Sequence, residues 1–209
     1  MFKIKEIKIY PENVSSFIKS FVELEKDKNL LFIDAENLKE KINSIPDVES
    51  CKILKIYPST LQIEIILRKP WALLKYNNQE YFIDREGVII TEKKEGFLFE
   101  IYGIKPDKEK NKVQEIEKIN ILTEFEKWYN HFNVGNHFKI KKIDITDLYK
   151  IEISDGERKL FFTPEDLKGK IEKLSFILKS LKDDFEYIDT RFKNFYIKFK
   201  NERKNNHGD

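Results

Sequence analysis

Three histidines, one cysteine and an adjacent pair of aspartates are the residues whose chemistry would matter most in this chain. A zinc or other transition-metal centre needs its ligands brought to one point, as two histidines one helical turn apart can do. His131 and His137 instead flank an expected turn, His207 lies in a polar C-terminal stretch, and no carboxylate–histidine helix pair accompanies them. Cys51 stands in a strand-like run among isoleucine and valine, so it reads as a small core residue, not a nucleophile. As a single cysteine it also rules out an intrachain disulfide and a cysteine-rich zinc site. Asp183-Asp184 are neighbours in sequence, so their side chains diverge, and the pair reads as a solvated turn before a strand. The seven glycines are all isolated, which leaves no phosphate-cradling loop, and no Gly-x-Ser-x-Gly elbow occurs. No stretch brings a nucleophile, a base and an orienting group together. The expectation is a non-enzymatic chain with no catalytic residue, cofactor, metal or small-molecule substrate.

Charge points the same way. Thirty-nine Lys and Arg against 37 Asp and Glu leave a net charge of +2, and the two signs are interleaved along the chain. That is a solvated surface of mixed sign, without the basic excess of a nucleic-acid binder. With 40% apolar and 13% aromatic residues, the 209 residues can bury one large core or two small ones. No apolar run approaches the ~20 residues a membrane helix needs, and Met1 to Glu6 has no signal-peptide character.

The elements that would carry any site follow from periodicity. Phe2, Ile4, Ile7 and Ile9 read as a strand broken by Pro11-Glu12-Asn13. Val14, Phe17, Ile18, Phe21 and Val22 fall at helical spacing on one face, with Asn13 or Ser15 as the cap. Asp34 caps a second helix carrying Leu38, Ile42 and Ile45, and Pro46 ends it. Two strands follow, Val48 to Tyr57 and Leu61 to Arg68, joined at Pro58-Ser59-Thr60. In the second, Leu61, Ile63, Ile65 and Leu67 face inward, with Phe17, Phe21, Leu38 and Ile42 as expected core partners.

Beyond Lys69-Pro70 the rhythm changes. Trp71 to Tyr76, Tyr81 to Asp84, Val88 to Thr91 and Phe97 to Tyr102 read as short strands, with turns at Asn77-Asn78 and Arg85-Glu86-Gly87. An amphipathic helix carries Ile116, Ile119, Leu122, Phe125, Tyr129 and Phe132. Strands are expected over Phe138 to Ile145 and Leu148 to Ile153, with a hairpin at Asp155-Gly156 and return strand Lys159 to Phe162. Thr163 caps a helix with Pro164 at its first position, and Leu167, Ile171, Leu174, Leu178 and Leu181 form its buried face. Tyr187 to Thr190 and Asn194 to Lys200 close the chain as strands. The expected fold is α+β: a β-α-α-β-β domain over 1–69, then a mixed, mostly antiparallel β domain with two helices over 70–200, and a flexible tail over 201–209.

Two stretches carry a resemblance. The first runs from Pro46-Asp47-Val48 through Tyr57-Pro58-Ser59-Thr60-Leu61 to Arg68-Lys69-Pro70-Trp71-Ala72, followed by Asp84-Arg85-Glu86-Gly87. The second is Asp155-Gly156, then Lys170, Leu174 and Leu178, then Ile188-Asp189-Thr190-Arg191-Phe192. In order and spacing these resemble the FtsQ/DivIB family of bacterial cell-division proteins, whose POTRA domain leads into a β domain. The chain departs from the family pattern at Leu67, Lys55 and Thr190, where Glu, Arg and Leu are usual.

The resemblance implies a scaffold on the extracytoplasmic side of the cytoplasmic membrane, anchored by one N-terminal helix upstream of Met1. It implies partners of the FtsB/DivIC and FtsL type and a contact along the last strand of the β domain. The residues expected there are Arg191, Asn194, Phe195, Tyr196, Ile197, Lys198 and Phe199. An edge strand with open N–H and C=O groups can take a partner strand. The rival for that segment is an ordinary final strand blunted by its lysines. The rival for the whole chain is a POTRA-type peptide-binding module of an outer-membrane assembly or secretion system, which should precede alternating barrel strands.

Overall fold

The computed structural model describes residues 2–91, 99–181 and 185–200. The expected tail at 201–209 with His207, the Asp183-Asp184 pair, and Phe97 and Leu98 lie outside them. The chain divides into two compact units, residues 1–69 with 90–93, and residues 70–89 with 94–209.

The first unit is built in the order β1 (Glu6–Tyr10), α1 (Ser16–Glu23), α2 (Ala35–Asn43), β2 (Val48–Ile56) and β3 (Thr60–Leu67). Local chemistry sets both helix starts. The Ser15 hydroxyl accepts from the Ile18 N–H at 3.4 Å and the Asp34 carboxylate from the Asn37 N–H at 3.0 Å. β3 lies in the middle of the sheet, antiparallel to β2 and parallel to β1. Its alternation buries Leu61, Ile63 and Ile65 beneath Ile18, Val22, Leu38 and Ile42. Three expected members of that core are not fully buried, Phe21 packing half-buried at its margin. Phe17 is 66% exposed, and Leu67 is only half-buried at the strand end. α1 carries apolar residues over a wide arc and buries Ile18 and Val22, with Val14 buried just before it. Cys51 is buried, and burial pushes its thiol up.

Beyond β3 the chain forms β4 (Ala72–Tyr76), β5 (Gln79–Ile83), β6 (Ile89–Ile90), β7 (Phe99–Tyr102), β8 (Pro106–Asp107), β9 (Lys112–Val113), α3 (Ile116–His131), β10 (Lys142–Asp144), β11 (Ile151–Ser154), β12 (Lys159–Phe162), α4 (Leu167–Ser180), β13 (Phe185–Asp189) and β14 (Tyr196–Phe199). Among the described residues the main sheet runs β14-β13-β12-β11-β10-β7-β4-β5-β6, with β8 and β9 as a separate pair. Antiparallel ladders join β4 to β5, β10 to β11, β11 to β12 and β13 to β14, and parallel ladders join β4 to β7, β7 to β10 and β12 to β13. α3 and α4 share one core with Leu74, Ile101, Ile143, Leu160, Phe162 and Ile188.

Two expectations need correction here. The strands around residue 145 are shorter than periodicity suggested, because Asp144 and Asp147 each take a backbone N–H two residues on and turn the chain. And α4 starts at Leu167, not at Pro164. Its cap is Asp166, held at φ +50° with its carboxylate on the Gly169 N–H at 3.2 Å, while the Thr163 hydroxyl accepts from the Lys170 ammonium. A Cβ at Gly169 would come within 2.8 Å of the capping oxygen and 2.6 Å of the other oxygen of that carboxylate, so the glycine is what lets that cap close.

Candidate functional site

β14 is the terminal strand of the main sheet, and among the described residues it pairs on one side alone, with β13. Its register sets Tyr196 opposite Asp189, Ile197 opposite Ile188, Lys198 opposite Tyr187 and Phe199 opposite Phe185, with an irregularity between Phe185 and Tyr187. Alternation then divides the seven residues expected at this site. Phe195 and Ile197 are half-buried against the helix-covered core, and the Lys173 ammonium lies 4.5 Å from the Phe195 ring centroid. Phe199 shares their face but runs past the cover and is 54% exposed. Tyr196 and Lys198 stand on the other face, both exposed. There Tyr196 continues a row of rings, 5.9 Å from Tyr187, which is 5.5 Å from Phe161. Asn194 is exposed in the turn before the strand.

Arg191 is set apart from the strand and fixed by Asp189. Its Nε and Nη2 donate to the two carboxylate oxygens at 2.9 and 2.7 Å, and its backbone N–H donates to the same carboxylate at 3.1 Å. Burial works to raise the Asp189 pKa, yet these donors outweigh it and hold the carboxyl below its ordinary value. Thr190, fully buried, gives both its N–H and its hydroxyl to the Phe161 carbonyl, at 2.9 and 2.8 Å. This pins the end of β13 to β12, so the turn into β14 leaves from a fixed point. Lys198 lies 2.8 Å from Glu186 on the neighbouring strand, and Lys200 lies 3.7 Å from Glu157.

Among the described residues, no group of three or more His, Cys, Asp and Glu side chains converges as a metal site would require, and no helix is long and apolar enough to cross a membrane. His131 packs edge-on against Trp128 and Phe132, and His137 gives its carbonyl to the Arg158 guanidinium at 2.8 Å. Sequence reasoning passed over one built feature. The Glu126 carboxylate on α3 takes both Nε and Nη2 of Arg85 at 2.9 Å and the Trp71 indole N–H at 3.1 Å. Helical periodicity had marked the apolar neighbours of Glu126, and nothing in spacing alone joins residues 71, 85 and 126.

Comparison with known proteins gives matches over both units. The family model described as "Cell division protein FtsQ/DivIB, C-terminal" matches residues 72–191. The chain belongs to the FtsQ/DivIB family. An FtsQ-type POTRA domain model matches residues 15–66. The cell division protein FtsQ of Bradyrhizobium diazoefficiens is 32% identical over 62 residues, a stretch covering 30% of this chain and 18% of that protein.

The motifs behind the FtsQ/DivIB resemblance are architectural in this chain. The Asp84 carboxylate accepts from the Glu86 and Val88 N–H groups at 2.9 and 2.8 Å, closing a turn through Gly87 at φ +71°. Gly156, at φ +101°, closes the β11–β12 hairpin beside Asp155, whose carboxylate takes the Glu157 and Arg158 N–H groups at 3.0 and 2.7 Å. The Asp189–Arg191 pair and Thr190 do the same for the approach to β14.

Proposed function

We propose that the chain is a non-enzymatic scaffold of the bacterial division machinery, held on the extracytoplasmic side of the cytoplasmic membrane by a helix upstream of Met1. In this reading it binds a division protein of the FtsB/DivIC type, with its FtsL-type companion, by adding a partner strand along β14. The observation that carries the reading is the outer side of β14, which has no strand partner among the described residues. Open backbone groups supply the attraction and alternate side chains the specificity. Tyr196, Lys198 and Phe199 would be the side chains presented, with Phe195 and Ile197 as the strand's own anchors to the core. The FtsQ/DivIB-type second domain favours this over an outer-membrane assembly module.

Successive residues of a strand point their N–H groups to opposite sides. Of Tyr196→Pro and Ile197→Pro, one therefore removes an outward donor and the other a donor to β13. Titration against the partner's extracytoplasmic fragment, with a melting curve for each variant, should show the outward-donor variant folded but binding at least roughly tenfold more weakly. Parent-like affinity in a well-folded outward-donor variant would end the strand-addition reading.

A further inference from the structure

At the end of the sheet where β14 stops, two cavities of about 320 Å³ each adjoin, sharing Gly135 and Lys139 in their walls. One is apolar. Trp71, Phe99, Leu122, Phe125, Tyr129 and Ile143 line it, and Glu126 stands in its wall already bonded by Arg85 and Trp71. Its walls are set. Burial pushes the Tyr129 phenol up to about 12, so it stays a donor to the Phe138 carbonyl.

The second cavity is cationic. Lys139, Lys141, Arg158 and Lys200 line it, with Asp155 and Glu157. Asp155 is spent on Arg158, at 2.7 Å, and that buried guanidinium is packed against the Phe138 and Phe185 rings. Glu157 lies 3.7 Å from Lys200. The cationic surplus rests on Lys139 and Lys141, both exposed.

We infer that these cavities form one peptide site, in which a bulky apolar side chain enters the Trp71–Tyr129 lobe and a neighbouring acidic residue meets Lys139 and Lys141. Charge selects the acidic class, because an apolar floor beside two lysines with no ion pair among the described residues favours a segment carrying both features. Position names its source. Lys200 follows β14 directly and lines the cationic lobe, so a segment laid along β14 runs on into this site. For that source the inference rests on the reading of β14 as a docking edge.

The test uses the whole chain and a capped pentapeptide, Glu-Asp-Phe-Leu-Glu, followed by amide NMR. Saturable shifts are expected at the Gly135 N–H and the Trp71 indole N–H. The Lys139→Glu, Lys141→Glu double variant should weaken binding roughly tenfold or more, and added salt should weaken the parent's binding. Of the two β14 proline variants, the folded one that loses the outward donor should keep the pentapeptide's affinity, because its β13 pairing and Lys200 stay in place, which separates this site from the edge. The inference is overturned if roughly millimolar peptide gives no saturable shift at those two groups. It is equally overturned if the peptide with lysines in place of its acids binds as well, or if the folded double-lysine variant binds like the parent.

Discussion

A single backbone angle can carry a whole turn, and Gly87 is such a case. It sits at φ +71°, and a Cβ there would come within 2.7 Å of the Val113 side chain and 3.0 Å of Ile116. The glycine is also bonded on both sides, since its carbonyl accepts from the Val113 N–H and its own N–H closes the turn on the Asp84 carbonyl. Gly87→Ala therefore meets a strained angle and a steric block together. It should destabilise the second unit by more than about 1 kcal/mol, read from the midpoint of a urea titration at unchanged slope. A loss within experimental error of zero would mean the turn relaxes without cost. The same scale explains Thr190, which stands where the family pattern has leucine. The position is fully buried, and the hydroxyl is accommodated because the Phe161 carbonyl takes it.

β3 is the element on which the first unit depends, since both neighbours pair with it and its inward residues meet both helices. Ile63 is fully buried at its centre. Ile63→Ala should cost about 2–5 kcal/mol in denaturant titration, the range for an unrelaxed cavity. This strand was legible in the sequence because alternation fixes a face without knowledge of the partner. α1 was legible as a helix but not as a face. Phe17 and Ile18 are adjacent, both apolar, and only the sheet's position decides which one is covered. The start of α4 was misread for a different reason. Thr163-Pro164 has every mark of a helix beginning, but the Thr163 hydroxyl is engaged by Lys170 one turn into the helix, and the left-handed Asp166 takes the cap. At the candidate site the alternation of β14 could be read directly. The Trp71–Arg85–Glu126 cluster could not, because it joins three elements far apart in sequence.

At the scale of the whole molecule, stability should depend on acid through two carboxylates. Asp155 and Asp189 are both pushed upward by burial and more than pulled back by their donors, Arg158 and Glu157 for the first, Arg191 for the second. A folded-state pKa below the unfolded value gives stability that is fully present above the ordinary aspartate value of about 4. It is lost as pH falls through the folded values. The melting temperature should therefore hold from neutral pH to about 5 and drop below about 4. An Asp155→Asn, Asp189→Asn double variant should melt lower at neutral pH and show a flatter acid limb. An unchanged acid limb in that variant would assign the effect to other carboxylates. The surface ion pairs, such as Lys26–Glu23 and Lys39–Glu36, contribute little to this balance because both partners are exposed.

During synthesis, β1 leaves the ribosome with nothing to pair with. Its partner Thr60 follows Glu6 by more than fifty residues, and a parallel ladder offers no local hairpin as a shortcut. α1, α2 and β2 all emerge while Ile7 and Ile9 still present open backbone. Only the β2–β3 hairpin supplies the strand that closes the sheet, and it does so from the middle. A nascent chain paused before Thr60 thus displays an unmatched strand at each end of its first unit. That is the length at which chaperones and proteases would find it most available.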